Sequence, residues 1–420
     1  MNPLSRRRFV QTMGAVATAM ASSSTALAAP PEPDGAAPPP ASIGKFVSGK
    51  ITSSYLTLPS DFGVSPQLDT RLTTMPAEKR RDVGLEQDHW QLEIVPEEKS
   101  KNVKIERTFS KADGTALNFA GLLKLAETRK VRFLKVLSAI ESPRPLGMGL
   151  WEGVPMRNVI WAAKPSGNIR RICYGGLAPQ GDPAKLRQAS LTASRVMVDL
   201  PWGLPVILCY KLNGQWLDAS LGGPVRVIVP EAYENRCLGG LNRIVLSPDF
   251  QECDSYGETG NDVESPLKTC AFLNGPVGGL RVKAGQPSTL TGFAQVGAAG
   301  LAKVQYAIAM GKPTATGADL RQLEWRDAQL VGPPIDWGGG LPGGKLPPTD
   351  PQCDDHGVPR EWPMRYTTCH WTTEVPGLAA GTHTVLCRTI DLAGTVQPLP
   401  RPSPTSGINR IEQVELSVSD

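Results

Sequence analysis

The chain has 420 residues, 40% of them hydrophobic and 20% charged, with a formal net charge of +4 at neutral pH. That length accommodates two or three domains with sizeable cores. So small a charge, with no dense Lys/Arg patch, argues against a nucleic-acid partner.

The first 28 residues read as an export signal. Arg6 and Arg7 precede Phe9 and a mild apolar stretch over residues 13–28. That stretch closes on Ala26-Leu27-Ala28, a small-x-small cleavage pattern. Residues 1–28 are therefore expected to be a twin-arginine signal, which delivers folded proteins, often already loaded with a cofactor, to the periplasm or beyond. No later apolar run is long enough to span a bilayer, so no membrane insertion is expected once the signal is removed. Residues 29–42, APPEPDGAAPPPAS, form a Pro/Ala-rich extended linker.

Residues 43–272 have a mixed texture. Residues 119–129 show helical spacing, with Leu122, Leu123 and Leu125 on or near one face. Residues 131–140 read as a strand, and 206–212 and 225–229 as short buried strands. Their irregular alternation implies an α+β domain rather than a doubly wound sheet. Over residues 273–420 helical patterns give way to strand-like runs at 290–296, 302–310, 323–330, 366–373 and 383–391, separated by turn clusters. That is the pattern of an all-β sandwich of immunoglobulin type. Residues 332–351, rich in Gly and Pro, are expected to be a surface loop.

Eight cysteines fall at 173, 209, 237, 253, 270, 353, 369 and 387. In an oxidising compartment some are expected to pair. Cys253 with Cys270 and Cys353 with Cys369 close short loops and are the first expectation, although spacing alone leaves connectivity open. Cys353, His356, Cys369 and His370 could alternatively offer two thiolates and two imidazoles to zinc. No P-loop, G-x-S-x-G elbow or H-E-x-x-H appears. The absence of C-x-x-C-H argues against a fused c-type haem, so any redox activity would need an external electron partner such as a periplasmic cytochrome.

Four ordered segments carry a resemblance. They are Trp151-Glu152-Gly153-Val154-Pro155-Met156-Arg157-Asn158-Val159-Ile160; Tyr210-Lys211-Leu212-Asn213-Gly214 followed by Gly223-Pro224-Val225-Arg226-Val227-Ile228-Val229-Pro230; Leu241-Asn242-Arg243-Ile244; and Asp391-Leu392-Ala393-Gly394-Thr395-Val396-Gln397-Pro398. Together, across nearly all of the mature chain, they resemble the sulfite oxidase family of molybdopterin enzymes. The resemblance implies an α+β sulfite-oxidase-type molybdopterin domain followed by an immunoglobulin-like sandwich that commonly mediates dimerisation, and hence a homodimer. It also implies molybdopterin as cofactor and a small oxyanion or oxide as substrate.

The same comparison places Arg226, with Gly223 and Leu221, beside the pterin, where an anionic phosphate and dithiolene need backbone amides and cations. A structural role on the strand edge is the other reading of Arg226. Arg157 and Asn158 would cap the segment that follows Pro155 or, in the other reading, approach the cofactor. The family's metal-ligating cysteine aligns with Ser138, since no cysteine precedes Cys173. A soft metal-oxo centre prefers thiolate, and a serine alkoxide would need a strongly activating metal. Leu221 stands at a frequent histidine, Arg187 at the substrate-site tyrosine and Gly239 at a late lysine, and the early Arg/His motif is not recognisable over residues 53–59. Glu141 lies near Ser138 and would matter only in a surviving pocket. Two readings follow: a molybdopterin-dependent oxidoreductase with a retuned site, or a non-catalytic relative, without its metal site, that serves as a periplasmic binding or scaffold protein.

Overall fold

Strands dominate the chain because its apolar runs are short, rich in Val, Ile and Leu, and bounded by Gly and Pro. The computed structural model describes residues 54–63, 75–98, 101–140, 144–177, 186–198, 203–251, 253–275, 279–311, 320, 322–347, 352–398 and 406–420. The expected signal and linker, and Glu141, lie outside these.

The first region carries β1 (Gln91–Pro96), β2 (Val103–Ile105), β3 (Leu117–Asn118), β4 (Val131–Leu137), β5 (Gly147–Pro155), β6 (Pro165–Gly167), β7 (Arg171–Leu177), β8 (Leu186–Thr192), β9 (Ile207–Leu212), β10 (Gln215–Trp216), β11 (Arg226–Ile228) and β12 (Leu241–Ser247). The helices α1 (Ala77–Asp82), α2 (Phe119–Arg129), α3 (Met156–Ala162) and α4 (Ala193–Met197) lie between them. One sheet has the order β3-β1-β12-β7-β8, and a second has β10-β9-β5-β4 with β11 on β9. Asn118 caps α2, its side chain accepting from the Gly121 amide at 2.8 Å. The buried face of α2 is Phe119, Leu122 and Ala126, with Leu123 and Leu125 only partly buried at its edge. Helix α3 starts after Pro155 with no side-chain cap, so Arg157 and Asn158 do not fill the capping role expected of them.

Strand β4 stops three residues short of the expected end. Its ladder with β5 closes at Leu137 opposite Gly147. Ser138 and Ile140 then give their carbonyls to other partners, the amides of Glu234 at 2.8 Å and Ile408 at 3.2 Å.

The C-terminal region is an eight-stranded sheet: β13 (Cys270–Leu273), β14 (Leu280–Lys283), β15 (Ser288–Gln295), β16 (Lys303–Met310), β17 (Arg326–Leu330), β18 (Thr368–Val375), β19 (Gly381–Ile390) and β20 (Glu412–Ser419). Its order is β13-β15-β18-β17-β16-β19-β20-β14. The sheet curls on itself, so Ala271 and Leu273 share one core with Val385, Cys387, Leu416 and Val418. β14 joins β20 in parallel, while the other pairings in this sheet are antiparallel.

Two expectations need correction. Residues 332–347 are not simply a surface loop: Trp337 and Leu341 are buried with Tyr55, Leu134, Val136 and Met148 in a third core. Trp337 O accepts from the Leu56 amide at 2.9 Å, and Asn213 Nδ2 donates to Gly339 O at 3.1 Å. A loop carrying a Trp and a Leu gains more from burying them than from staying hydrated. The disulfide among the described residues is Cys173–Cys253, 80 residues apart, while Cys270 and Cys369 are free and buried and Cys353 is buried. Short separation did not bring the expected partners together, because Cys270 sits in β13 against Phe272 and Phe293 while Cys369 faces the curled-sheet core.

Candidate functional site

Ser138 stands just past the end of β4 and is only 2% exposed. Its hydroxyl donates to Gln295 Oε1. Gln295 Nε2 donates in turn to the Lys268 carbonyl at 2.7 Å. A carbonyl only accepts, so the Gln295 amino group must face Lys268 and its oxygen must face Ser138. The Ser138 proton is thereby committed to the protein. An alkoxide there would press negative charge against an amide oxygen.

Arg226, on β11, reaches three protein acceptors. Nε donates to Cys237 O at 2.7 Å, Nη1 to Leu221 O at 2.8 Å and Nη2 to Glu234 Oε1 at 3.1 Å. The ion pair is almost fully buried. Arg226 thus ties the turn Ala219–Leu221 to the turn Glu234–Arg236, and Leu221 takes part through its carbonyl. Between these turns the backbone is closely packed. A Cβ at Gly223 would lie 2.1 Å from Leu217 O, and one at Gly239 would lie 2.5 Å from Gly222 Cα. No side chain, lysine included, fits at Gly239 on this backbone.

Around the second turn lies a polar knot. Glu234 Oε2, Asn235 Nδ2 and Asp254 Oδ2 are buried without hydrogen-bond partners, and Arg236 beside them donates to Glu264 at 3.2 and 2.7 Å. Arg187 belongs to the same field: burial works against its charge, while Glu234 supports it and Arg226 opposes it. Burial likewise pushes the Asp254 carboxyl up. The Tyr174 hydroxyl holds the Arg236 carbonyl at 2.8 Å. The neighbouring Cys173–Cys253 disulfide tethers the Asp254 loop to β7. Lys135 is fully buried, with Nζ donating to Val136 O at 2.8 Å and Ala232 O at 2.9 Å.

Partnerless buried polar groups each cost about 1–3 kcal/mol, so a cluster of them is a place that a ligand or ordered water would complete. Two acceptors and one donor amid Arg187, Arg226 and Arg236 fit a pterin, whose ring edge carries both N–H donors and acceptors and whose tail is anionic. The donor set does not supply a thiolate at the Ser138 position. Among the free cysteines, burial pushes Cys209 up to about 12 and raises Cys237 as well, so both are held as thiols.

The sequence-derived site is therefore drawn together in part. Arg187, Arg226, Leu221 and Gly223 border the knot, whereas Ser138 is turned to Gln295. Glu234, Asn235, Asp254 and Gln295 were missed. Three consecutive polar residues, Glu234, Asn235 and Arg236, between two buried strands were the readable signal. The zinc alternative is not borne out: among the described residues no three His, Cys, Asp or Glu side chains gather as a metal site. His356 is exposed, while His370 packs against the Tyr55 ring at 4.4 Å.

Residues 85–254 match the oxidoreductase molybdopterin binding domain family. The chain is 31% identical over 112 residues to NADH nitrate reductase 1 of Arabidopsis thaliana, covering 26% of this chain and 12% of that protein. It is 32% identical over 118 residues to the NAD(P)H nitrate reductase of Hordeum vulgare, covering 27% and 13%. It thus spans about an eighth of the length of these curated relatives. Among solved structures, the sulfane dehydrogenase SoxCD of Paracoccus pantotrophus shares the fold, with a TM-score of 0.54 and 15% identity over 79% of this chain and 76% of that one.

Proposed function

We propose that this chain, which through residues 85–254 belongs to the molybdopterin-binding oxidoreductases of the sulfite oxidase family, is an exported redox protein that holds the pterin at the knot of Glu234, Asn235, Arg236 and Asp254. The observation that carries this reading is the set of three buried polar atoms without partners, Glu234 Oε2, Asn235 Nδ2 and Asp254 Oδ2. A bound molybdenum cofactor would supply two-electron redox chemistry toward a small oxyanion or oxide, a class that includes the nitrate of the nitrate reductases. The chain's own residues would do the holding: Glu234 and Asp254 would accept from the ring, Asn235 would donate to it, and Arg187 and Arg236 would balance the anionic tail. Electrons would be exchanged with an external partner such as a periplasmic cytochrome, supplied by it for a reduction and passed to it for an oxidation. The twin-arginine motif at Arg6 and Arg7 supports delivery to the periplasm as a folded protein, and the C-terminal sheet would serve a homodimer.

One observation favours a second reading, a non-catalytic binding or scaffold protein: the Ser138 hydroxyl is spent on Gln295. The test is elemental analysis for molybdenum and tungsten, together with pterin fluorescence, on protein exported by its own route. Stoichiometric pterin is expected. Preparations without pterin or metal, from a molybdenum-replete host, would overturn the cofactor reading and leave the scaffold. Light scattering tests the dimer, and a monomer mass refutes it.

A further inference from the structure

Ser138 is one corner of a closed hydrogen-bonded ring. The Glu234 amide donates to Ser138 O at 2.8 Å. The Ser138 hydroxyl donates to Gln295 Oε1, and Gln295 Nε2 donates to Lys268 O at 2.7 Å. The Lys268 amide donates to the Tyr233 hydroxyl at 3.2 Å, and Tyr233 is the covalent neighbour of Glu234. Every member is buried. Two members, Tyr233 and Glu234, belong to the turn that carries the polar knot, and Gln295 ends β15 of the C-terminal sheet.

The direction of Gln295 follows from strand alternation. Leu290 and Ala294 of β15 face the core of the curled sheet. Phe293 and Gln295 therefore face outward, and Phe293 packs with Cys270 and Phe272 in a separate cluster. On that outer face Arg144 binds Glu412 Oε1 at 2.6 Å and Leu273 O at 2.7 Å. Lys268 Nζ donates to Gly407 O at 2.7 Å, and the Ile408 amide to Ile140 O. The Ser138–Gln295 bond is one of several ties between the β4 end and the C-terminal region, and both of its side chains are buried.

We infer that the position from which the family ligates its metal has become a lock between the two regions, with Ser138 as one half and Gln295 as the other. The chain therefore contributes no oxygen ligand at Ser138. Gly239 carries the same message, because the backbone has closed where the family's lysine would stand. This inference is independent of whether the knot holds a pterin.

The test is a double-mutant cycle on the exported full chain, with Ser138→Ala, Gln295→Met and the pair, read by urea unfolding and by molybdenum content. Each single change is expected to lower the folded-to-unfolded ratio roughly 5- to 30-fold, the range for a lost buried hydrogen bond. The pair should lower it little further than the worse single variant, and metal content should be the same in wild type and Ser138→Ala. Ser138→Thr, which keeps the donor, should stay within about threefold of wild type and serves if Ser138→Ala does not fold. Additive losses, equal losses in Ser138→Thr and Gln295→Met, or molybdenum that disappears with Ser138→Ala would each overturn the lock. Pterin fluorescence of the same samples reports separately on the cofactor reading.

Discussion

Replacing Arg226 by Met should destabilise the folded chain by about 4–6 kcal/mol, and the number follows from what the guanidinium touches. Its pair with Glu234 is almost fully buried, with 3% and 1% of the two side chains exposed. Breaking such a pair from one side leaves a buried charge and costs about 3–5 kcal/mol. Glu234 would then have both oxygens without a protein partner, since Oε2 has none already. The carbonyls of Cys237 and Leu221 also lose their donors, adding about 1 kcal/mol or more, less where solvent reaches Leu221. A loss of this size is a large part of a typical folding free energy of about 5–15 kcal/mol. The assay is urea unfolding of cofactor-free protein. Glu234→Gln leaves the Arg226 charge without its counter-ion but keeps an oxygen that can accept from Nη2, and so should cost less. A loss below about 1 kcal/mol for Arg226→Met, with pterin content falling instead, would refute the structural account and give Arg226 the cofactor role that its motif position implies.

The Cys173–Cys253 bridge closes a separation of 80 residues, so Cys173→Ser should lower stability by about 2–4 kcal/mol; peptide mapping that finds Cys253 joined to Cys270 would overturn the pairing. Burial holds His370 neutral, with its pKa pushed down to about 4. The unfolded chain takes up a proton first as pH falls, so stability is complete above the unfolded value near 6.5 and declines by up to about 3 kcal/mol between there and 4. His370→Phe should flatten that decline in unfolding measured at pH 7, 5 and 4. Gly239→Lys, which restores the family's residue, should cost about 3 kcal/mol or more because its Cβ meets Gly222 Cα at 2.5 Å; a normally stable variant would show that the backbone contact is soft.

Local periodicity made several elements legible. Helix α2 and strands β4, β9, β15, β16 and β19 are short-range events, set by apolar spacing, by the Asn118 cap and by Gly and Pro breaks. The ordered motifs likewise pointed to the molybdopterin-type domain, with Arg226 expected beside its pterin, and an all-β second half was visible as a change of texture. What lay outside the sequence's reach was long-range partnership. Ser138 and Gln295 are 157 residues apart, and Cys173 meets Cys253 across 80. Trp337 is buried only because Tyr55 and Met148 arrive from elsewhere to cover it. A residue's chemistry and its local backbone preference are written in its neighbours along the chain. Which acceptor takes a serine proton, which carboxylate neutralises an arginine and which polar atoms remain without partners depend on how separate sheets and turns pack, and only the tertiary structure decides that.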